Sequence, residues 1–136
     1  MAVILIVEDE LVSRTLVTKI LRQEGYLVLF AKDGMAGVKA ARERNPDLIV
    51  MDLGLPGMDG WEAARRIRLY PKTAHIPIVA LTGSTLAENV LKAKQAGCDA
   101  YETKPVVYER LIAKIRHLLS TARPELYNDG KETKAT

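Results

Sequence analysis

The chain has 136 residues, 48% of them hydrophobic and 27% charged, with 20 basic against 17 acidic side chains for a formal net charge of +3. These are the proportions of one globular domain, and they exclude a disordered, collagen-like or coiled-coil chain. The single cysteine, Cys98, rules out an internal disulfide or a multi-cysteine zinc site and fits a reducing compartment.

The opening run Met1–Val7 meets Glu8-Asp9-Glu10 at once, which is unlike a secretory leader. No apolar run reaches the ~18 residues of a membrane span. A cytoplasmic chain with no membrane contact is expected. The basic residues are spread out rather than clustered, so no direct DNA binding is expected either.

Taken in order, the apolar run Val3–Val7 predicts a first strand, and Val12, Leu16 and Ile20, with Val17 and Leu21 beside them, predict a helix. A second strand is expected at Tyr26–Phe30, then a helix capped by Asp33 with Met35, Val38 and Ala41 on its apolar face. Leu48–Met51 is the third strand, followed by a helix capped by Asp59 and carrying Trp61, Ala64, Ile67 and Arg68. Ile76–Leu81 is the fourth, followed by a helix through Leu86, Val90 and Ala93 that Gly97 closes. The weaker run Ala100–Thr103 and a helix through Val107, Leu111, Ile115 and Leu118 complete the series.

Most of these runs are continuous rather than alternating, as in strands covered on both faces. Alternating strand and helix then imply an α/β fold of (βα)5 type with right-handed crossovers. The natural solution is a doubly wound, flavodoxin-like sheet of five parallel strands in order 2-1-3-4-5. Arg123-Pro124 interrupts the last helix and the following residues are polar. Residues 1–122 are therefore expected to form the domain and residues 123–136 a flexible tail.

In such sheets ligands bind beyond the carboxyl ends of the strands. The first run ends in Glu8-Asp9, the third in Asp52, the fourth in Thr82 and the fifth in Lys104-Pro105. Each alone reads as a cap, a turn or a solvated side chain; together they deliver carboxylates, a hydroxyl and an ammonium to one edge. Clustered carboxylates repel unless a cation sits among them, and Mg²⁺, which takes oxygen ligands, is the economical choice. Asp52 then becomes a candidate nucleophile for phosphoryl transfer, with Lys104 and Thr82 as partners for the phosphoryl oxygens.

The segments Ile4–Glu10, Pro46–Asp52, Leu55–Gly60, Ile76–Thr82, Ala96–Tyr101 and Lys104-Pro105 closely resemble the receiver domain of two-component response regulators, over about residues 2 to 120. The resemblance implies that Asp52 is the phosphoacceptor and that Glu8, Asp9, Asp52 and the backbone carbonyl of Gly54 hold Mg²⁺. It implies that Thr82 is the switch hydroxyl, Tyr101 the switch aromatic, and Lys104 the partner of the phosphoryl group. It further implies a cis Lys104-Pro105 bond.

The expected donors are a sensor histidine kinase or a histidine phosphotransfer protein. Output is expected through a downstream protein on the face of the fourth helix, fifth strand and fifth helix, from a monomer or a phosphorylation-dependent dimer. Such a chain catalyses only its own phosphorylation and dephosphorylation. Ala74–Pro77 and Gly97–Tyr101 look most like single-domain regulators of the cell-cycle and polarity type, and receivers detached from hybrid kinases or multidomain regulators look the same. Leu55, Gly54, Gly83 and Ser84 depart from the commonest pattern beside the site, which bears on the lifetime of the phosphorylated state.

Rival readings fit less well. An aspartate-nucleophile phosphohydrolase would need an Asp-x-Asp pair after the first strand, and a flavin carrier a hydroxyl- and glycine-rich loop there. Glu8-Asp9-Glu10 supplies neither. Trp61 reads as a helix anchor, His75 and His117 as surface residues, Cys98 as a small buried residue and Arg65-Arg66-Arg68 as a solvated helix face.

Overall fold

The computed structural model describes residues 1–55, 57–83 and 87–122. The expected tail 123–136, together with Leu86 and Ser84, lies outside the described residues. Strands β1 (Val3–Val7), β2 (Leu27–Ala31), β3 (Leu48–Asp52), β4 (Ile78–Thr82) and β5 (Ala100–Thr103) alternate with helices α1 (Leu11–Gln23), α2 (Gly34–Arg44), α3 (Gly60–Leu69), α4 (Ala87–Gln95) and α5 (Tyr108–Ala122). All strand pairs are parallel and the order is β2-β1-β3-β4-β5. This is the (βα)5 flavodoxin-like sheet expected from the sequence.

β1, β3 and β4 are apolar on both faces because both faces are covered. Leu5, Val7, Ile49, Met51, Ile78 and Ala80 pack under α2, α3 and α4, while Ile4, Ile6, Leu48, Val50, Val79 and Leu81 pack under α1 and α5. Asp33 and Asp59 cap α2 and α3, accepting from the N–H groups of Ala36 at 2.7 Å and Glu62 at 2.9 Å. Gly97, at φ +99°, follows α4 in the left-handed conformation expected of a residue closing a helix.

Several expectations are corrected. β4 begins at Ile78 rather than Ile76, because Ile76 and Thr73 close a turn and Pro77 has no N–H to give the ladder. β2 begins at Leu27, since Tyr26 N–H is bonded back to Leu21 at the end of α1. On α1 the buried stripe is Val17, Ile20 and Leu21, with Val12 and Leu16 exposed. Successive steps of four residues advance about 40° around a 3.6-residue helix, so the Val12–Leu16–Ile20 line winds onto the sheet only at Ile20.

On α2 Met35 is exposed and the buried face is Gly34, Gly37, Val38 and Ala41. The two glycines let the helix approach: a Cβ on Gly34 would lie 2.4 Å from the Met58 carbonyl oxygen, and one on Gly37 would lie 2.8 Å from the Val7 side chain.

Arg68 is not on a solvated face. Its guanidinium donates to the carbonyls of Gly97 at 2.9 Å, Ala74 at 3.2 Å and Ile76, and to Asp99 Oδ2, which also accepts from Ile78 N–H at 2.8 Å. It pins the end of α3 to the base of β4 and to the α4–β5 turn. Cys98 is buried there, and burial pushes its thiol up to about 11, away from reactivity. His75 and His117 are exposed, and Trp61 is half-buried with Lys92 of α4 over its ring at 5.0 Å.

Glu102 in β5 is only 3% exposed and is paired by Arg110 and Lys114 of α5. Burial pushes its pKa up, but the two cations outweigh that and hold it below the usual carboxylate range. A carboxyl with a depressed folded-state pKa adds stability that is present above the unfolded value of about 4.5 and is lost as the pH falls through the lower folded value. Urea titrations of wild type and Glu102→Gln should therefore show a stability gap at pH 7 that closes toward pH 3. A gap that stays constant over that range would remove the ion pairs from the account.

Candidate functional site

The carboxyl ends of β1, β3, β4 and β5 meet at one edge of the sheet, and with them the residues that follow each apolar run. Asp52 is the last residue of β3 and Thr82 the last of β4, while Glu8 directly follows β1 and Lys104 directly follows β5. Backbone bonds hold these ends in register: Glu8 N–H donates to Ala31 O at 3.0 Å, Leu53 N–H to Leu81 O at 3.0 Å and Lys104 N–H to Thr82 O at 2.9 Å. The Lys104–Pro105 peptide bond is cis.

Three carboxylates converge. Glu8, Asp9 and Asp52 each present an oxygen within 4.8 Å of the others. Glu8 is 1% exposed and Asp52 7%, whereas Asp9 faces solvent. Lys104 Nζ lies between the two buried ones, 3.0 Å from Glu8 Oε1 and 3.3 Å from Asp52 Oδ2. Asp52 Oδ1 accepts from Gly54 N–H at 3.0 Å, which fixes the other edge of that carboxylate. Glu8 Oε2 accepts from Glu10 N–H at 3.3 Å, and Arg14 of α1 donates to the Glu8 carbonyl at 3.2 Å.

The charges do not balance. One ammonium faces three carboxylates, and burial pushes the Glu8 carboxyl up to about 7. The neighbouring Asp52 carboxyl adds to that rise, and Lys104 only partly offsets it. Lys104 has its own pKa lowered by burial, but its two carboxylate partners more than reverse this and leave it raised and firmly charged. Glu8 Oε1 is buried and, although within ion-pair reach of Lys104, accepts no aligned hydrogen bond. A buried, under-satisfied carboxylate oxygen beside two further carboxylates, with no nitrogen or sulfur donor among them, is a donor set that suits a hard divalent cation such as Mg²⁺.

A family model for the response regulator receiver domain matches residues 4–116. This chain belongs to that family. The receiver is 39% identical over 122 residues to the transcriptional regulatory protein AfsQ1 of Streptomyces coelicolor, which covers 90% of this chain and 53% of that protein, so the chain spans about half the length of AfsQ1. It is 32% identical over 119 residues to the polar-differentiation response regulator DivK of Brucella ovis, covering 88% of this chain and 97% of that one.

Among solved structures, the receiver domain of the sensor histidine kinase PA1611 from Pseudomonas aeruginosa matches with a TM-score of 0.83 at 34% identity, over 88% of this chain and 98% of that one. That structure has a magnesium ion coordinated in the active-site cleft. A receiver is a signalling module of a two-component system rather than an enzyme with an external substrate. Among the described residues of this receiver, no helix is long and apolar enough to cross a membrane.

Sequence reasoning singled out Glu8, Asp9, Asp52 and Lys104, but it named Gly60 only within the segment Leu55–Gly60 and gave it no role. A Cβ at that first position of α3 would fall 2.4 Å from the Asp52 carbonyl oxygen and 2.6 Å from Leu53 Cα. The signal that could have found it is a glycine directly after the Asp59 cap, where helix propensity gives no reason for one.

Proposed function

We propose that this receiver is a phosphoacceptor switch in which Asp52 takes a phosphoryl group from a sensor histidine kinase or a histidine phosphotransfer protein. What carries this reading is Lys104 lying between Glu8 and Asp52 at the end of the central strand, with Asp9 alongside. Glu8, Asp9, Asp52 and the Gly54 carbonyl would hold Mg²⁺, which when bound supplies positive charge to the phosphoryl oxygens.

Ionised Asp52 carries no proton to remove, so no general base is required. One Asp52 oxygen attacks phosphorus in line, the P–N bond of the phosphohistidine breaks, and the imidazole nitrogen leaves with the electron pair and takes up a proton. Lys104 exchanges its carboxylate partners for a phosphoryl oxygen, and Thr82 donates its hydroxyl to another. The acyl phosphate on Asp52 later loses its phosphoryl group to water, and no other substrate is turned over.

The output reading rests on register. Tyr101 of β5 lies opposite Ala80 of β4, and Thr82 is two residues further along on the same face. Thr82 drawn toward a phosphoryl group would leave room for the Tyr101 ring, now 38% exposed, to turn inward. That would reshape the α4-β5-α5 face for a downstream protein or for a phosphorylation-dependent dimer of an otherwise monomeric chain. Residues 1–122 make up the receiver in this reading, and its place is the cytoplasm. A second reading makes the chain the receiver part of a longer regulator, as its match to half of AfsQ1 would allow.

Intact mass after incubation with Mg²⁺ and phosphoramidate tests the core of the proposal. A gain of about 80 Da, one phosphoryl group, that disappears with EDTA is expected. No gain from phosphoramidate or from any phosphohistidine donor, with no Mg²⁺ bound, would overturn it.

A further inference from the structure

Glu102 and Lys114 remain unexplained by the chemistry at the cleft. Glu102 follows Tyr101 directly, so the two side chains leave β5 on opposite faces. Glu102, level with Leu81, faces the α1–α5 layer, and Tyr101, level with Ala80, faces the α4 layer. β5 is an edge strand, which lets one long side chain reach around it.

Lys114 of α5 does so. Its Nζ pairs with Glu102 Oε2 and also lies 5.8 Å from the centroid of the Tyr101 ring. Arg110, one turn earlier on α5, already pairs with Glu102 Oε1 at 2.9 Å. The buried carboxylate therefore has a cation without Lys114, and Lys114 is the cation that touches the ring. Among the described residues the Tyr101 hydroxyl makes no hydrogen bond, so the ammonium is the polar contact of that side chain.

We propose that Lys114, anchored by Glu102, is a positioning residue that holds the Tyr101 ring on the outside of β5 until the cleft is phosphorylated. The inference rests on the reading of Tyr101 as the moving aromatic. An ammonium within about 6 Å of a ring face is attracted to the ring quadrupole, and an inward turn forfeits that attraction. The Glu102 carboxylate cannot follow the ring, because it is buried and held by Arg110 as well. Lys114 thus stays at the edge, and the ring leaves it. The device biases the resting state outward and raises the threshold for switching.

The test uses beryllofluoride with Mg²⁺ as the phosphoryl mimic and NMR of the Tyr101 ring as the readout. In wild type the ring signals should shift as the mimic saturates. Lys114→Met keeps the aliphatic stem and removes the charge; it should move the resting ring signals toward the saturated position and lower the half-saturating mimic concentration roughly two- to fivefold. Lys114→Arg should restore wild-type behaviour, and Glu102→Gln should move both readouts in the same direction as Lys114→Met. Arg110→Gln, which disturbs Glu102 but not the ring contact, should leave the resting ring signals in place.

Unchanged ring signals and half-saturation in folded Lys114→Met would overturn the proposal, as would failure of arginine to rescue. Should Lys114→Met not fold, Glu102→Gln decides between the same two outcomes through the same ring signals and half-saturation. A wild-type ring that ignores the mimic while the mimic still binds would instead overturn the moving-aromatic reading beneath it.

Discussion

Asp52→Asn is expected to take up no phosphoryl group under conditions that charge the wild type fully, while its fold persists. The amide matches the carboxylate in shape, and its oxygen can still accept from Gly54 N–H, as Oδ1 does at 3.0 Å. It has no anionic oxygen with which to attack phosphorus, and it takes the negative charge from one of the three converging carboxylates that would hold the metal. Removing one negative charge from a cleft with more carboxylates than cations relieves repulsion, so the melting temperature without Mg²⁺ should not fall. Intact mass and a thermal melt on the same sample decide the matter. A persistent gain in mass would move the acceptor to another residue, and a collapse of the melt would leave the loss of uptake without meaning.

Gly60→Ala should damage fold and site together. Backbone atoms of the Asp52–Leu53 peptide, Asp52 O at 2.4 Å and Leu53 Cα at 2.6 Å from the added methyl, cannot rotate away as a flexible side chain would. Either α3 lifts from the sheet or the end of β3 moves, and the expected loss is about 1–3 kcal/mol or more. Because the contacted carbonyl is that of Asp52, phosphoryl uptake should slow in the fraction that remains folded. Gly83→Ala is the matched control: no described atom lies within 4 Å of its added Cβ, and Gly83 does not adopt a positive φ. A urea titration that ranks Gly83→Ala as the more damaging of the two would contradict the close approach at Gly60.

The order of the elements was legible because buried parallel strands must be apolar on both faces, a demand that Ile4–Val7 and Leu48–Met51 state without reference to any partner. The cleft was legible for a related reason. In a sheet whose strands all run one way, whatever follows each apolar run arrives at the same edge, so Glu8, Asp9, Asp52, Thr82 and Lys104 could be assembled from their places in the chain alone. The caps Asp33 and Asp59 were equally readable, since a cap is a bond to a backbone group three residues away.

What stayed hidden depends on distances between residues far apart in the chain. Glu8 and Asp9 look alike as neighbours, yet one is buried against Lys104 and the other faces solvent, a division made by the lysine arriving from β5. Arg68 has the composition of a surface residue and is instead consumed by carbonyls on two loops that only the folded sheet brings together. Met35 and Leu16 have the right character for a core but stand on the wrong side of helices whose facing stripe was set by glycine approach and by helical drift.

Local pattern and chain direction were enough for the strands, the caps and the edge at which the polar residues gather, because each of those rests on a period, a near neighbour or a shared direction. Only the tertiary structure settled which carboxylate is buried, which glycine is a close contact and which lysine leans on Tyr101. Those outcomes are sums over side chains from different elements, and no stretch of the sequence contains both members of the pair.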